Sequence, residues 1–485
     1  MEKNDEDWVK IRNKFRQIWG YEAFRPPQAE IIQSLLAGKD TIVIMPTGAG
    51  KSLCFQLPAL IQSGLTLVVS PLVALMEDQV TKLRQRHVAV ETLHSEIPRV
   101  RRKQILAAIA AQELSLLYLS PESLFSVPIW QCLSAPHIKI NGLILDEVHC
   151  LVQWGSSFRP HYQRLGAIRP AILKRKPAGT RLAIAAFTAT ADLKTRQAIE
   201  STLQLQQPQQ FFLSPYRRNL NLFVKIAWTP RCRREKLWNF IQNRLNQTGI
   251  VYVRSRQDSE SLARWLVNRD FLTCAYHAGL SPQQRRTIEH QWLSEEIKAV
   301  VCTSAFGLGI DKVNVRWIVH FHPPNLLAEY LQEIGRAGRD GKSADVLTLI
   351  SEPTGWLDPS DQQRMQQFQD SQCRQYQKSL QLLKTLPRKG EISAIARQYP
   401  QGEMTLSLLH RYHQLQWVDL LHYQLSSNPS LPSLDQFKRQ QKKSSQPIVD
   451  YLGHRQCRWR FLLKAFGFSP KSPKFYCGHC DNCLG

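Results

Sequence analysis

Apolar runs of strand length recur along the first 350 residues, separated by stretches long enough for helices: TIVIM at 41–45, LTLVVS at 65–70, LLYLS at 116–120, GLILDE at 142–147 and RLAIAAF at 181–187. Runs that are apolar at nearly every position suit strands covered on both faces, as in parallel sheets. A Gln- and Pro-bearing stretch, LQLQQPQQFFLSP at 203–215, reads as a divider. The rhythm then restarts with GIVYVR at 249–254, TCAYH at 273–277, AVVCT at 299–303, VRWIVHF at 315–321 and ADVLTLI at 344–350. Strands alternating with helices predict two parallel α/β domains, over 1–207 and 208–352. Beyond about residue 351 the strands stop and polar helical sequence follows, with SSNPSLPS (426–433) and KRQQKKSSQP (438–447) reading as loops or linkers. A mostly helical region is expected over 353–456 and a compact cysteine module over 457–485.

At 485 residues the chain has room for about three domains. Its 43% apolar and 21% charged residues exclude wholesale disorder and fibrous repeats. There is no run of 18 apolar residues, and the start, MEKNDEDWVKIRNKF, lacks the apolar stretch of a signal peptide. No membrane partner is expected, and the address is the cytoplasm. Lys and Arg outnumber Asp and Glu by 63 to 39, a net +24, which points to a polyanion and above all to nucleic acid. Simple solubility is the alternative, though it rarely needs so much charge of one sign. Seven of the eleven cysteines are scattered singly, as reduced core thiols would be.

MPTGAGKS follows an apolar run and precedes helical sequence. Thr47, Gly48, Ala49 and Gly50 would wrap a phosphate chain with backbone N–H groups, Lys51 would reach the outer phosphates and Ser52 would ligate magnesium. Met45 stands where the strict loop pattern has its first glycine. GLILDEVH ends a buried strand in two carboxylates: Asp146 to hold magnesium, Glu147 to deprotonate a water. Coupled, these motifs point to nucleoside triphosphate hydrolysis. In YLQEIGRAGRDGK, Arg336 and Arg339 lie three apart, expected on one helical face, as arginine fingers for the γ-phosphate or as a surface salt-bridge pair.

Read in order, MPTGAGKS, SPLVALMEDQV, YLSPESL, DEVHC, FTATAD, AYHAGL, AFGLGIDK and QEIGRAGRDG resemble the motif set of superfamily 2 helicases, and of the RecQ family in particular, over about residues 8–350. The resemblance implies two tandem RecA-like domains, ATP as substrate, and 3′-to-5′ movement on DNA with unwinding of forked or branched duplex. It implies a part in recombination and repair; protein partners stay unknown. WGYEAFRPPQAEII resembles the family's adenine-recognition motif, implying that Tyr21 stacks on the base while Arg25 and Gln28 bond it. HCLVQWGSSFRPHY resembles the aromatic-rich loop that links DNA binding to hydrolysis. On their own residues, Trp154, Phe158 and Tyr162 at a spacing of four fit either a buried helical stripe or, given Gly155 and Pro160, a loop on which bases stack beside Arg159. An RNA helicase or non-unwinding translocase would share the hydrolysis motifs, and a catalytically silent DNA-binding scaffold is the non-enzyme alternative.

Cys477, Cys480 and Cys483 are spaced by two residues, with Cys457 nineteen intervening residues upstream. Four thiolates close a tetrahedral zinc site and make it structural; His479 is a substitute ligand and disulfides the other reading. The family places its zinc site closer to the arginine motif than here. In the extra sequence, EISAIARQYPQGEMTLSLLHRYHQLQWVDLLHYQL suggests a winged-helix-like unit near 385–425, with Met404, Leu408, Tyr412 and Leu415 inward, His410, Arg411 and His413 free to grip duplex, and a wing at LLHYQL. A helical spacer supporting the zinc module fits equally.

Overall fold

The structure, a computed structural model, describes residues 2–152, 160–306, 312–469, 472 and 475–484, with side chains from Trp8 onward. Two compact units form: one from residues 1–45, 49–213 and 374–433, the other from 46–48, 214–373 and 434–485.

The first unit is built on a parallel sheet of β1 (Thr41–Ile44), β2 (Leu65–Val69), β3 (Val90–Leu93), β4 (Leu116–Leu119), β5 (Ile140–Leu145), β6 (Ala183–Thr188) and β7 (Gln209–Phe212), ordered β3-β4-β2-β5-β6-β1-β7. Along β1, Ile42 and Ile44 enter one core cluster while Val43 and Met45 enter the cluster on the opposite face. Burial on both faces explains why this strand reads as an unbroken apolar run. Met45 takes the place of a loop glycine because it is still paired, its N–H donating to Thr188 O at 3.1 Å, and its side chain is fully buried.

The second unit holds a six-stranded parallel sheet of β8 (Leu220–Ala227), β9 (Gly249–Tyr252), β10 (Thr273–Tyr276), β11 (Ala299–Cys302), β12 (Trp317–His320) and β13 (Ala344–Ser351), ordered β10-β11-β9-β12-β13-β8. The C-terminal segment lies against the outer side of β8: Cys480 bridges to Leu222, Asp481 Oδ2 accepts from Val224 N at 2.7 Å and Trp459 Nε1 donates to Leu220 O at 3.2 Å. The cysteine module is therefore part of this unit and not a separate domain. KRQQKKSSQP is also no linker. It lies in helix Leu434–Gly453, which buries Phe437, Ser445, Ile448 and Tyr451 and turns its basic residues outward.

Residues 374–433 belong to the first unit. Their strands β14 (Lys389–Glu391), β15 (Leu415–Trp417) and β16 (His422–Leu425) form an antiparallel sheet ordered β14-β16-β15, preceded by helix Ser360–Leu383 and interleaved with helices Ile392–Gln398 and Gly402–Arg411. Strand, two helices and a hairpin is winged-helix connectivity. The expectation of free DNA-gripping side chains fails, however. His410 and Arg411 face the α/β core of their own unit, where His410 Nδ1 lies 3.3 Å from Gln163 Oε1 and Arg411 donates to Val152 O at 3.3 Å; of the three, His413 alone is exposed. The hairpin also turns inward, with Leu420 2% exposed and part of the core beneath the first sheet.

Burial of His410, reinforced by the nearby His413, depresses its pKa to about 4. The unfolded chain, with an ordinary value of about 6.5, binds a proton at this site that the fold rejects, so stability falls as pH drops from about 6.5 towards 4. Thermal unfolding at pH 7 and pH 5 is expected to cost the parent more than His410→Gln, by on the order of 1–2 kcal/mol. Equal losses would show that His410 does not titrate out of its packed position.

Candidate nucleotide and zinc sites

Helix Lys51–Ile61 starts directly after the loop that follows β1, so its first N–H groups are unpaired donors with the positive end of the helix dipole behind them. Gly50 caps it at φ +83°, and a Cβ there would fall 2.4 Å from Gln28 Nε2. Gln28 fixes the loop from behind, donating to Ala49 O at 3.1 Å while its Oε1 accepts from Arg25 N at 2.9 Å. The expected adenine motif and the phosphate loop are thus in direct contact. Tyr21 packs at a tilt on Phe15, ring centroids 5.8 Å apart, and keeps 55% of its surface exposed, available to a flat ligand. Lys51 Nζ is buried with no hydrogen-bond partner among the described residues. A buried ammonium at the start of a helix that follows a phosphate loop suits a phosphate ligand.

Asp146 and Glu147 follow β5 in the middle of the same sheet. Asp146 N continues the ladder by donating to Val69 O at 2.8 Å, and its Oδ1 accepts from Glu147 N at 3.0 Å. Burial pushes the Asp146 carboxyl up to about 6; the Glu147 charge adds to this, and Lys51 opposes it. Two adjacent carboxylates, Glu147 buried and Asp146 partly so, suit a divalent cation. Glu147 sits at φ +49°, a conformation unusual for a residue with a Cβ, which aims its carboxylate at His149 Nδ1, 3.1 Å away. The same His149 nitrogen lies 3.1 Å from Thr188 Oγ1 at the end of β6, where FTATAD begins.

Trp154, Phe158 and Arg159 lie outside the described residues. Tyr162 is not a stacking platform: it is fully buried, and its hydroxyl donates to Asp146 O at 2.9 Å. Its ring points into the core under the 3-10 helix Pro160–Ala167, so it supports the acidic pair from behind.

In the second unit, Arg336 and Arg339 do not share a helical face. Helix Leu327–Ile334 ends at Gly335, and a turn follows in which Gly338 adopts φ +55°. A Cβ at Gly338 would lie 2.4 Å from Asn219 Nδ2 and 2.8 Å from Lys342 O, so only glycine lets the turn close. Arg336 is 7% exposed, with Nε unpartnered among the described residues. Beneath this turn is a network that sequence reading missed. Arg254 grips Glu333 with two bonds of 3.1 and 2.9 Å, and His320 Nε2 lies 3.0 Å from the same carboxylate. Burial alone would raise the Glu333 pKa, but the Arg254 charge holds it down at about 2. The signal was present: GIVYVR ends an apolar strand in a charge, as GLILDE does. Part of the AFGLGIDK motif, residues 307–311, lies outside the described residues.

Cys457, at the start of helix Arg458–Ala465, meets Cys477, Cys480 and Cys483, and the four sulfurs all lie within 4.8 Å of one another. The 3.8 Å between Cys477 Sγ and Cys483 Sγ is the edge of a tetrahedron with metal–sulfur bonds of about 2.3 Å. Backbone N–H groups of Arg458 and His479 point at Cys480 and Cys477 sulfurs at 3.4 and 3.5 Å, favouring thiolates. His479 is engaged at both ring nitrogens, by Leu220 O at 2.9 Å and the Tyr216 hydroxyl at 3.2 Å, which leaves the cysteines as the ligand set.

Among the described residues no helix is long and apolar enough to cross a membrane. Residues 25–199 match the DEAD/DEAH box helicase family, 232–341 the helicase conserved C-terminal domain and 418–484 the RecQ zinc-binding family. The fold resembles that of Mycobacterium smegmatis helicase Lhr bound to ssDNA and AMP-PNP, with a TM-score of 0.58 and 22% identity over 91% of this chain and 61% of that one. The ATP-dependent DNA helicase RecQ of Pasteurella multocida is 40% identical over 70% of this chain and 52% of its own length. The ATP-dependent DNA helicase RecQ of Synechocystis sp. is 47% identical over 483 residues, 99% of both chains. With its phosphate loop, acidic pair and four-cysteine cluster each in place, the chain belongs to the RecQ family of superfamily 2 helicases.

Proposed function

We propose that this protein is an ATP-dependent DNA helicase that moves 3′ to 5′ along one strand and unwinds forked or branched duplex, acting in the cytoplasm in recombination and repair. The observation that carries the hydrolytic part is the buried ammonium of Lys51, unpartnered among the described residues, whose charge acts on Asp146 next to the buried Glu147. In this reading Tyr21 stacks on adenine, Arg25 and Gln28 bond its edge, and Thr47 to Ser52 wrap the phosphates. Glu147, oriented by His149, takes the proton of the attacking water. Ser52 and Asp146 would hold magnesium, which supplies neutralising charge to the phosphates. Arg336 and Arg339 are the candidates for stabilising the charge that develops on the γ-phosphate. The four cysteines would hold zinc, which closes the C-terminal module and takes no part in chemistry. DNA as the track is supported by the RecQ relatives and by the net charge of +24.

The deciding measurement is ATP hydrolysis with single-stranded DNA, with single-stranded RNA and with neither, followed by unwinding of duplexes carrying a 3′ or a 5′ tail. Stimulation by DNA and unwinding of the 3′-tailed duplex are expected. Stimulation by RNA alone, or hydrolysis with neither duplex unwound, would overturn the reading.

A further inference from the structure

The inserted winged-helix unit spends both of its usual nucleic-acid elements on its own α/β unit, and the place it grips is specific. From helix Gly402–Arg411, Arg411 donates to Val152 O at 3.3 Å and Ser407 donates to Pro160 O at 3.1 Å. These two carbonyls belong to the stems on either side of residues 153–159. The same helix places Glu403 3.3 Å from His161, whose other nitrogen lies 3.6 Å from Glu122. From the hairpin, Trp417 Nε1 donates to Gln163 O at 3.2 Å, and Leu420 O accepts from Arg164, whose guanidinium lies 4.0 Å over the Phe125 ring. Gln163 Nε2 in turn donates to Leu151 O at 2.6 Å, joining the two stems, and Tyr162 between these held residues reaches Asp146.

We infer that Arg411 and Ser407 are positioning residues: the insert is an internal brace that fixes the stems 148–152 and 160–167, setting how strongly nucleic acid stimulates hydrolysis. The inference rests on the proposed DNA-stimulated hydrolysis and adds the element that transmits it. A winged helix normally presents its second helix and wing to a duplex. Here the inner face of that helix, with Trp417 and Leu420 of the hairpin, packs against the segment leading away from the acidic pair, so their work is internal. A displacement of about 1 Å remote from the reacting atoms suffices to cost up to about a hundredfold in rate.

The test uses the full chain with Arg411→Ala, Ser407→Ala and Arg411→Lys, and His413→Ala as an exposed control. Stimulation of hydrolysis by single-stranded DNA is expected to fall about ten- to a hundredfold in Arg411→Ala, with basal hydrolysis and nucleotide affinity within about twofold of the parent. Arg411→Lys, which keeps a donor on a long stem, is expected to recover part of the loss; His413→Ala is expected to match the parent. Amide hydrogen exchange supplies a readout independent of activity: protection at 148–152 and 160–167 is expected to drop in Arg411→Ala and Ser407→Ala. Unchanged exchange overturns the brace. Faster exchange with stimulation intact overturns the coupling, and so does an equal fall of basal and stimulated rates. A parent enzyme that DNA does not stimulate refutes the coupling and the reading beneath it, while exchange still decides whether Arg411 holds the stems.

Discussion

Glu147→Gln is expected to bind ATP with affinity near that of the parent and to hydrolyse it about 10²- to 10⁴-fold more slowly, the contribution a positioned general base makes. Gln has the same shape, so the left-handed backbone and the approach to His149 survive, and the lost property is the capacity to accept a proton. Lys51→Ala makes the opposite separation. It removes a cation that acts on the Asp146 carboxyl, and nucleotide affinity is expected to fall with turnover. Equilibrium nucleotide binding and single-turnover hydrolysis, measured on both variants, distinguish the roles, and neither variant is expected to unwind duplex. Full turnover in Glu147→Gln would move the base elsewhere.

Cys480→Ala is expected to reduce bound zinc from about one per chain to near zero and to cost the second unit its cooperative unfolding transition. Apparent zinc-binding free energies of about 10–16 kcal/mol in small cysteine sites match or exceed the ~5–15 kcal/mol stability of a whole domain. Cys480 is fully buried and bridges to β8, so the loss reaches the sheet directly. Chelation of the parent should reproduce the effect, whereas His479→Ala should keep its metal, because both ring nitrogens are committed to Leu220 and Tyr216. Metal analysis and calorimetry check these outcomes. Iron with visible absorbance would replace the zinc assignment by a cluster.

The ten strands legible in the sequence include every central strand of both sheets, because burial on two faces leaves unbroken apolar runs such as Thr41–Ile44 and Leu143–Leu145. The three missed, β3, β7 and β8, all lie at sheet edges. QQFF of β7 is half exposed and disappeared into the Gln-rich divider, while β8 alternates along part of its length. The phosphate loop, the acidic pair and the cysteine ligands were legible because their chemistry fixes residue types at short spacing. Arg254 with Glu333, and Arg411 with Val152, were not, since such pairs are made by the fold across 79 and 259 residues. KRQQKKSSQP misled for a different reason: a helix that buries one residue in several turns carries a linker's composition on its outer side.

The first unit is discontinuous, interrupted between residues 213 and 374 by most of the second. During synthesis its sheet is complete once Phe212 has emerged, but the chain that covers segment 160–167 ends some 220 residues later, a delay of roughly 10–45 s at ~5–20 residues per second. Throughout that interval Arg164 lacks its acceptor on Leu420, and the apolar surface that Leu420 will cover faces the cell. The nascent domain is thus a sticky intermediate by construction of its gene order, and the second unit must fold without trapping it. For the same reason a fragment ending near residue 213 is a different object from the domain found in the whole chain: it has the motifs of an ATPase and an unfinished surface.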